Sequence, residues 1–274
     1  NYQFEMSSPI TAEKSCSRLS THLTYGTISH RTVFQEAAKK RDQIKHTNKN
    51  FAKSINSFLS RLHWRSHFIQ KLEDQPSIEH TSFIPVYDQI REKDDEKLEA
   101  WIEGKTGVHF IDACMIYLRN YGWINFRMRA MLASFASYNL WLDWRYFAPR
   151  LAALFTDFEP GIHYSQIQMQ SGTTGINTIR MYNPYKQAMD QDPLGKFIKS
   201  QIPEVKNFSP TFFHNPPKKS SNVNLFDNES QKEIVNVKET AQYARKKIFD
   251  IRKSQEHKIL AKNVYLKHGS RGRN

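Results

Sequence analysis

Trp101-Ile-Glu-Gly-Lys-Thr-Gly107, followed by Ile111-Asp-Ala-Cys-Met115 and Tyr121-Gly-Trp-Ile-Asn-Phe-Arg-Met-Arg129, is the stretch on which the fold turns. Trp101 lies in a short helical pattern over 94–104, closed by a turn at Gly104 and Gly107; Phe110, Met115 and Leu118 set the next helix, and Tyr121-Gly122 ends it. From Trp123 to about Phe155 the chain is rich in Ala, Leu, Met and Trp with no proline before Pro149, the composition of one or two long buried helices. Upstream, Ser7-Ser-Pro-Ile-Thr11 supplies capping residues for a helix running toward Leu23, 29–47 is amphipathic, and Phe51, Ile55, Phe58, Leu59, Leu62 and Phe68 recur at helical steps through Leu72. Residues 73–95, with Pro76 and Pro85, read as a long connection, and 161–183, around Gly172-Thr-Thr-Gly175, as a loop. A last helical zone, 229–257, precedes a basic tail over 267–273. Period-two alternation is scarce and there is no internal repeat, so the fold class is mainly α and multi-helical.

The 274 residues suffice for one large core or two modest ones. Hydrophobic residues at 39% and aromatics at 13% exclude wholesale disorder, and the aromatics suit either a packed core or stacking on flat rings. A formal charge of +13 favours a polyanionic partner, against the plainer alternative of a basic surface with none. Cys16 and Cys114 are the two cysteines, and neither has metal-ligand spacing, so no disulfide framework and no metal are expected. A reducing compartment is the default, cytoplasmic, or nuclear or organellar in a eukaryote. No run reaches the roughly twenty apolar residues of a membrane span.

Three constellations carry chemistry. In Thr11-Ala-Glu-Lys-Ser-Cys-Ser-Arg-Leu-Ser20, hydroxyls, backbone amides and an arginine near a helix start form a phosphate cradle, although serine-rich helix caps are common for structural reasons alone. In Phe58-Leu-Ser-Arg-Leu-His-Trp-Arg-Ser-His-Phe68, Trp64 is suited to stack on an extruded base or to pack in a core, and Arg61 and Arg65 either meet phosphate or form a solvated face. The third lies in Trp123-Ile-Asn-Phe-Arg-Met-Arg129 and Phe155-Thr-Asp-Phe-Glu-Pro-Gly161, whose individual site residues are assigned only by family resemblance; any arginine there that is buried needs a carboxylate to offset its desolvation.

These segments, in this order, resemble the FAD-binding half of the photolyase and cryptochrome family, closely over 2–205 and more loosely in the basic tail. The resemblance implies a helical FAD-binding domain over 1–205, a linker over 206–228, and a C-terminal helix with basic tail over 229–274. The N-terminal α/β domain that binds an antenna pigment in most members has no counterpart in this chain, so such a pigment is expected only alongside that domain. By the resemblance, Tyr2, Cys16, Ser17, Leu19 and Ser20 hold the FAD diphosphate, Arg61 lies at the cavity, and Trp123, Arg127 and Arg129 wall the flavin. An Arg129–Asp157 ion pair is expected beside the ring, with Glu159 close by; ordinary structural pairing predicts the same contact. His163 falls opposite flavin N5, where a histidine titrating near neutrality donates or withholds a proton. Trp144 matches the middle member of the family's three-tryptophan electron relay, whose inner and outer positions fall on Ile167 and Arg91. Trp141 and Tyr164 are substitutes, or core packing.

What the resemblance implies about activity divides in two. As an enzyme the protein is a light-dependent DNA photolyase, a monomer that repairs pyrimidine photoproducts in ultraviolet-damaged DNA by electron transfer from excited reduced flavin, with Trp64 and Arg65 on the DNA side. Dimer-splitting members carry a glutamate where Arg61 stands, which favours the alternative of a cryptochrome-like blue-light photoreceptor without repair activity.

Overall fold

The computed structural model describes residues 1–215 and 232–269. Fifteen α-helices order them: α1 (Tyr2–Glu5), α2 (Pro9–Ser15), α3 (Ser20–Thr24), α4 (His30–Ile44), α5 (Lys49–Asp74), α6 (Asp95–Glu103), α7 (His109–Tyr121), α8 (Phe126–Ser134), α9 (Trp144–Ala152), α10 (Pro160–Ser171), α11 (Pro184–Gln191), α12 (Lys196–Gln201), α13 (Pro210–His214), α14 (Val237–Lys253) and α15 (Gln255–His268). Among the described residues the one β feature is an isolated parallel bridge between Glu92 and Leu142. The fold is the mainly α, multi-helical one expected.

The Trp101–Arg129 stretch is its centre. Gly104 and Gly122 take left-handed backbone (φ 70° and 64°) and end α6 and α7. Between them Asp112 locks the Gly-Lys-Thr-Gly turn, accepting from the Thr106 amide (2.9 Å), the Thr106 hydroxyl (2.6 Å) and the Gly107 amide (2.9 Å). Trp101 is buried edge-on against Phe147, with ring centroids 5.6 Å apart. It packs with α7, Trp123, Trp144 and Tyr164 in one apolar cluster.

Four expected elements differ. The helix from Ser7 toward Leu23 is broken, because Cys16 is extended and Arg18 sits at φ 57°. The long helix after Trp123 is interrupted by a π-helical turn over Phe135–Asn139 and by Trp141 at φ 58°. Asn139, donating to the Val237 carbonyl at 3.0 Å, and Trp141, donating to the Ile90 carbonyl at 2.9 Å, anchor that break. Residues 160–171 form α10 rather than a loop, since Pro160 opens the helix where its missing N–H costs nothing, and only Gly172 (φ 73°) ends it. Finally, the last helical zone is two helices, separated at Ser254, whose hydroxyl accepts from the His257 amide.

The expected linker also begins with ordered structure, for Phe213 of α13 is buried in the main cluster; residues 216–231 and 270–274, including the rest of that linker and the tip of the basic tail, lie outside the described residues. The C-terminal helices lie on the body: His257 is within 2.9 Å of the Tyr87 hydroxyl, and Arg252 donates to the Asn177 carbonyl at 2.7 Å.

The helices that carry the candidate site meet at Gly161, where a Cβ would stand 2.6 Å from the Ile69 Cα of α5. Gly161→Ala is therefore expected to push α10 off α5 and cost about 1–3 kcal/mol, net of the helix propensity that alanine adds. Thermal melting reads this as roughly 2–4 °C per kcal/mol, and an unchanged melting curve would refute it.

Candidate functional site

A forked ion pair forms the middle of the site. Arg129 donates to both Asp157 oxygens, at 3.0 and 2.9 Å, while its Nε donates to the Ile124 carbonyl at 2.7 Å and its guanidinium lies 4.2 Å above the Phe155 ring. Burial alone would raise the Asp157 carboxyl, but the charge and hydrogen bonds of Arg129, with a hydrogen bond from Ser20, hold it below its ordinary value. The acid is thus ionised, and the fork fixes the planes of both groups. Thr24 at the end of α3 donates to the Asp157 carbonyl at 3.4 Å, which ties the N-terminal segment to the pair.

That segment is the left-handed turn between α2 and α3. Ser17 stands exposed, its hydroxyl accepting from the Leu19 amide at 3.4 Å, and the Arg18 guanidinium lies 4.0 Å over the Trp123 ring. Tyr2 is edge-on to Phe58 at 6.1 Å, the pKa of its hydroxyl raised by burial and then by Cys16, with Arg61 acting the other way; Arg61 lies 5.8 Å from the Phe126 ring. The Cys16 thiol is pushed up by burial against the opposing charge of Arg18, so it is a protonated packing group. Tyr2, Cys16, Ser20, Arg18, Trp123, Arg129 and Asp157, brought from four separate stretches, are thereby assembled.

Arg65 does not reach the outer face on which it was expected. It turns inward, pairing with Glu159 at 3.1 Å and donating to the Leu23 carbonyl at 3.3 Å. The carboxylate of Glu159 is occupied by that contact, which braces α5 against the start of α10. Trp64, by contrast, is 42% exposed, its ring stacked at 5.6 Å on Phe68 and edge-on to His67 at 5.5 Å.

His163 is buried on α10 with Nε2 2.9 Å from the Ala148 carbonyl, to which it donates, and it is ringed by Phe155, Phe158 and Tyr164. Burial, together with the Arg129 charge, brings its pKa down to about 4 despite the Ala148 bond. The expectation of a histidine titrating near neutrality is corrected: the ring is neutral there, because its apolar cage penalises the charged form. Trp144 is buried too, donating to the Ser82 hydroxyl at 2.9 Å, with Tyr164 edge-on at 6.4 Å. Sequence reasoning missed Ser82 and also Gln168, whose amide joins α10 to the 76–84 connection through Phe83, Ile78 and Thr81.

Residues 58–261 match the family model of the FAD binding domain of DNA photolyase. The chain belongs to that family. A deoxyribodipyrimidine photo-lyase of Buchnera aphidicola subsp. Baizongia pistaciae is 34% identical over 208 residues, 74% of this chain and 42% of the relative. One of Escherichia coli is 30% identical over 220 residues, 78% of this chain and 45% of the relative. Among solved structures, an archaeal photolyase from Sulfolobus tokodaii, crystallised with two FAD molecules, superposes with a TM-score of 0.76 at 29% identity, covering 91% of this chain and 53% of that one. The chain spans less than half the length of these two relatives in sequence.

The residues of this photolyase-family domain fit a flavin dinucleotide on the structure's own terms. Arg127 Nε and Asn125 Oδ1, within the Trp123–Arg129 segment, are buried without a hydrogen-bond partner among the described residues, while Asn125 Nδ2 donates to the Met6 and Ser7 carbonyls at 3.1 and 2.7 Å. A donor and an acceptor left unmatched in the segment that carries Trp123 and Arg129 suit a hydrogen-bonding ligand. No described helix is long and apolar enough to cross a membrane.

Proposed function

We propose that this chain binds FAD non-covalently, and that the protein uses it for light-dependent repair of pyrimidine photoproducts in ultraviolet-damaged DNA. The observation that carries this is the Arg129–Asp157 fork, to whose Asp157 carbonyl Thr24 of α3 donates at 3.4 Å just after the phosphate-type turn, within a chain that matches the photolyase flavin domain. Bound there in reduced form, FAD supplies a light-driven electron to the lesion. The chain's own residues orient and protect. Arg129 and Asp157 hold the hydrogen-bonding edge of the ring, and Ser17, Leu19 and Ser20 take the diphosphate. Tyr2 and Arg61 hold the entrance side and Arg127 offers its free Nε–H. His163 offers a neutral ring that does not exchange a proton near pH 7, and the aromatic cage around it excludes water. Trp64, half exposed, is the platform for an extruded base, while the basic surface positions phosphates without choosing sequence.

A cryptochrome-like photoreceptor is the second reading, favoured by Arg61 in place of the acid with which dimer-splitting relatives hold the lesion, and by Ile167 and Arg91 at the ends of the electron relay. The two separate in one experiment. The purified protein, flavin reduced, is illuminated with oligonucleotides bearing either a cyclobutane dimer or a 6–4 photoproduct, and restored bases are counted. Restoration of either lesion is expected. Restoration of neither, with flavin held and photoreduction intact, leaves the photoreceptor, and a protein that takes up no flavin overturns both.

A further inference from the structure

The last two turns of α5 and the end of α15 enclose a pocket of about 200 Å³, lined by His67, Gln70, Lys71, Asp74, Lys267 and His268. Four basic side chains share it with one carboxylate. The Lys71 ammonium has no ion pair among the described residues; it lies 5.4 and 6.0 Å from the ring centroids of Phe68 and Phe83. His268 Nε2 and Lys267 Nζ converge on the Gln75 side-chain oxygen, at 2.9 and 3.3 Å, with the His268 ring edge-on to Phe83 at 5.1 Å. The surroundings disfavour this much positive charge: burial, then neighbouring lysines, depresses His67 and His268, and burial depresses Lys71. With His268 brought down to about 4 and His67 also depressed, the cations of the pocket near neutrality are Lys71 and Lys267, facing the one carboxylate of Asp74; the excess positive charge in the concavity favours an entering anion.

Position identifies the anion. His67 contacts Trp64, so the pocket begins one helical turn from the exposed platform, and Lys71 follows at seven residues, two turns along the same face. Seven residues of helix span about 10 Å, close to three base steps of duplex rise. Lys267 and His268 lie at the end of α15, so the second wall comes from a different element than the first.

We infer that this pocket is a phosphodiester-binding subsite in which Lys71 and Lys267, flanked by His67 and His268, grip the DNA backbone about three base steps from the base that faces Trp64. This rests on the DNA reading proposed above. A phosphate contact carries no sequence information, so the subsite fixes the register of the duplex and leaves the choice of lesion to the cavity.

Fluorescence anisotropy with an ultraviolet-irradiated duplex and an unirradiated one, between 50 and 200 mM salt, tests it on the flavin-loaded protein. Lys71→Gln and Lys267→Gln are each expected to weaken both duplexes by about tenfold at the lowest salt and to reduce the slope of log affinity against log salt by about one. Lys71→Arg, which keeps the charge, is expected to retain the wild-type slope. Wild-type binding with slopes unchanged in both glutamine variants overturns the subsite and leaves the DNA reading standing. Glutamine variants that lose only thermal stabilisation by inorganic phosphate, with duplex binding intact, overturn the subsite in the same way. A wild-type protein that binds neither duplex overturns both. Matching melting curves and flavin content of the variants exclude misfolding as the cause of any loss.

Discussion

Arg129→Met is expected to lower the free energy of unfolding by about 3–5 kcal/mol and to release bound flavin. The two partners are unequally placed: the Asp157 side chain is 3% exposed and that of Arg129 26%. Removing the cation strands a carboxylate inside the protein, whereas Asp157→Asn leaves a guanidinium that still reaches water and should cost less. The pH dependence follows. In the wild type the Asp157 carboxyl lies below its ordinary value, so its stabilisation is full above the normal carboxylate range and is lost as pH falls through the folded value. In Arg129→Met, burial, the largest influence on the group, is opposed only by the smaller contributions of Ser20 and the backbone and raises it, so that protein loses stability as pH rises. The difference between the two is therefore widest near neutrality and narrows in acid. Denaturant titration of the flavin-free proteins at two pH values, with flavin absorbance after desalting, measures both effects. A variant within 1 kcal/mol of wild type that keeps its flavin would show that the fork is incidental.

Acidification should remove about 3 kcal/mol through His163 alone. Its pKa of about 4 in the folded protein lies below the 6.5 of a free histidine, so the unfolded chain takes up the proton first. The stabilisation is fully present above about pH 6.5 and is lost as pH falls toward 4. His163→Gln retains a donor for the Ala148 carbonyl without a titrating ring, so its denaturation midpoint should fall less over that interval. Parallel curves for the two proteins between pH 6.5 and 4 would contradict the assignment. The same burial keeps the ring from acting as a proton switch near neutrality.

Much of the site is legible in sequence because its residues are rare types in a fixed order. Trp123, Arg129 and Asp157 are legible through the resemblance, which supplies the Gly-Trp pair, the two arginines and the later acidic positions; the chemistry of a buried arginine adds only that a carboxylate must meet it, and spacing alone would equally have offered Asp143. Register was harder. Pro160 and Gly161 suggested a loop, whereas at the first two positions of a helix neither residue is a breaker, and Gly161 is there because Ile69 comes too close for a side chain. Arg65 looked like a surface cation from its neighbours His63 and His67, yet its partner Glu159 lies 94 positions away. Gln168 left its trace in the run Ser165-Gln-Ile-Gln-Met-Gln-Ser171, whose polar residues fall on all sides of α10. Such a pattern makes sense only if some amides face buried backbone, and no local period reveals which.

Arg91 lies beneath the break at Trp141, buried, with its hydrogen bonds going to the carbonyls of Ser137 and Ser171 and no carboxylate among those bonds. Its guanidinium is 4.8 Å from the Trp141 ring. An indole that surrendered an electron there would become a second cation beside the first, at a repulsion of roughly 3 kcal/mol for an effective dielectric near 20. Were Trp141 to stand in as a relay member, the Arg91 charge would oppose its oxidation, so on that proposal an electron hole formed at Trp144 would pass to Tyr164, edge-on at 6.4 Å, rather than to Trp141.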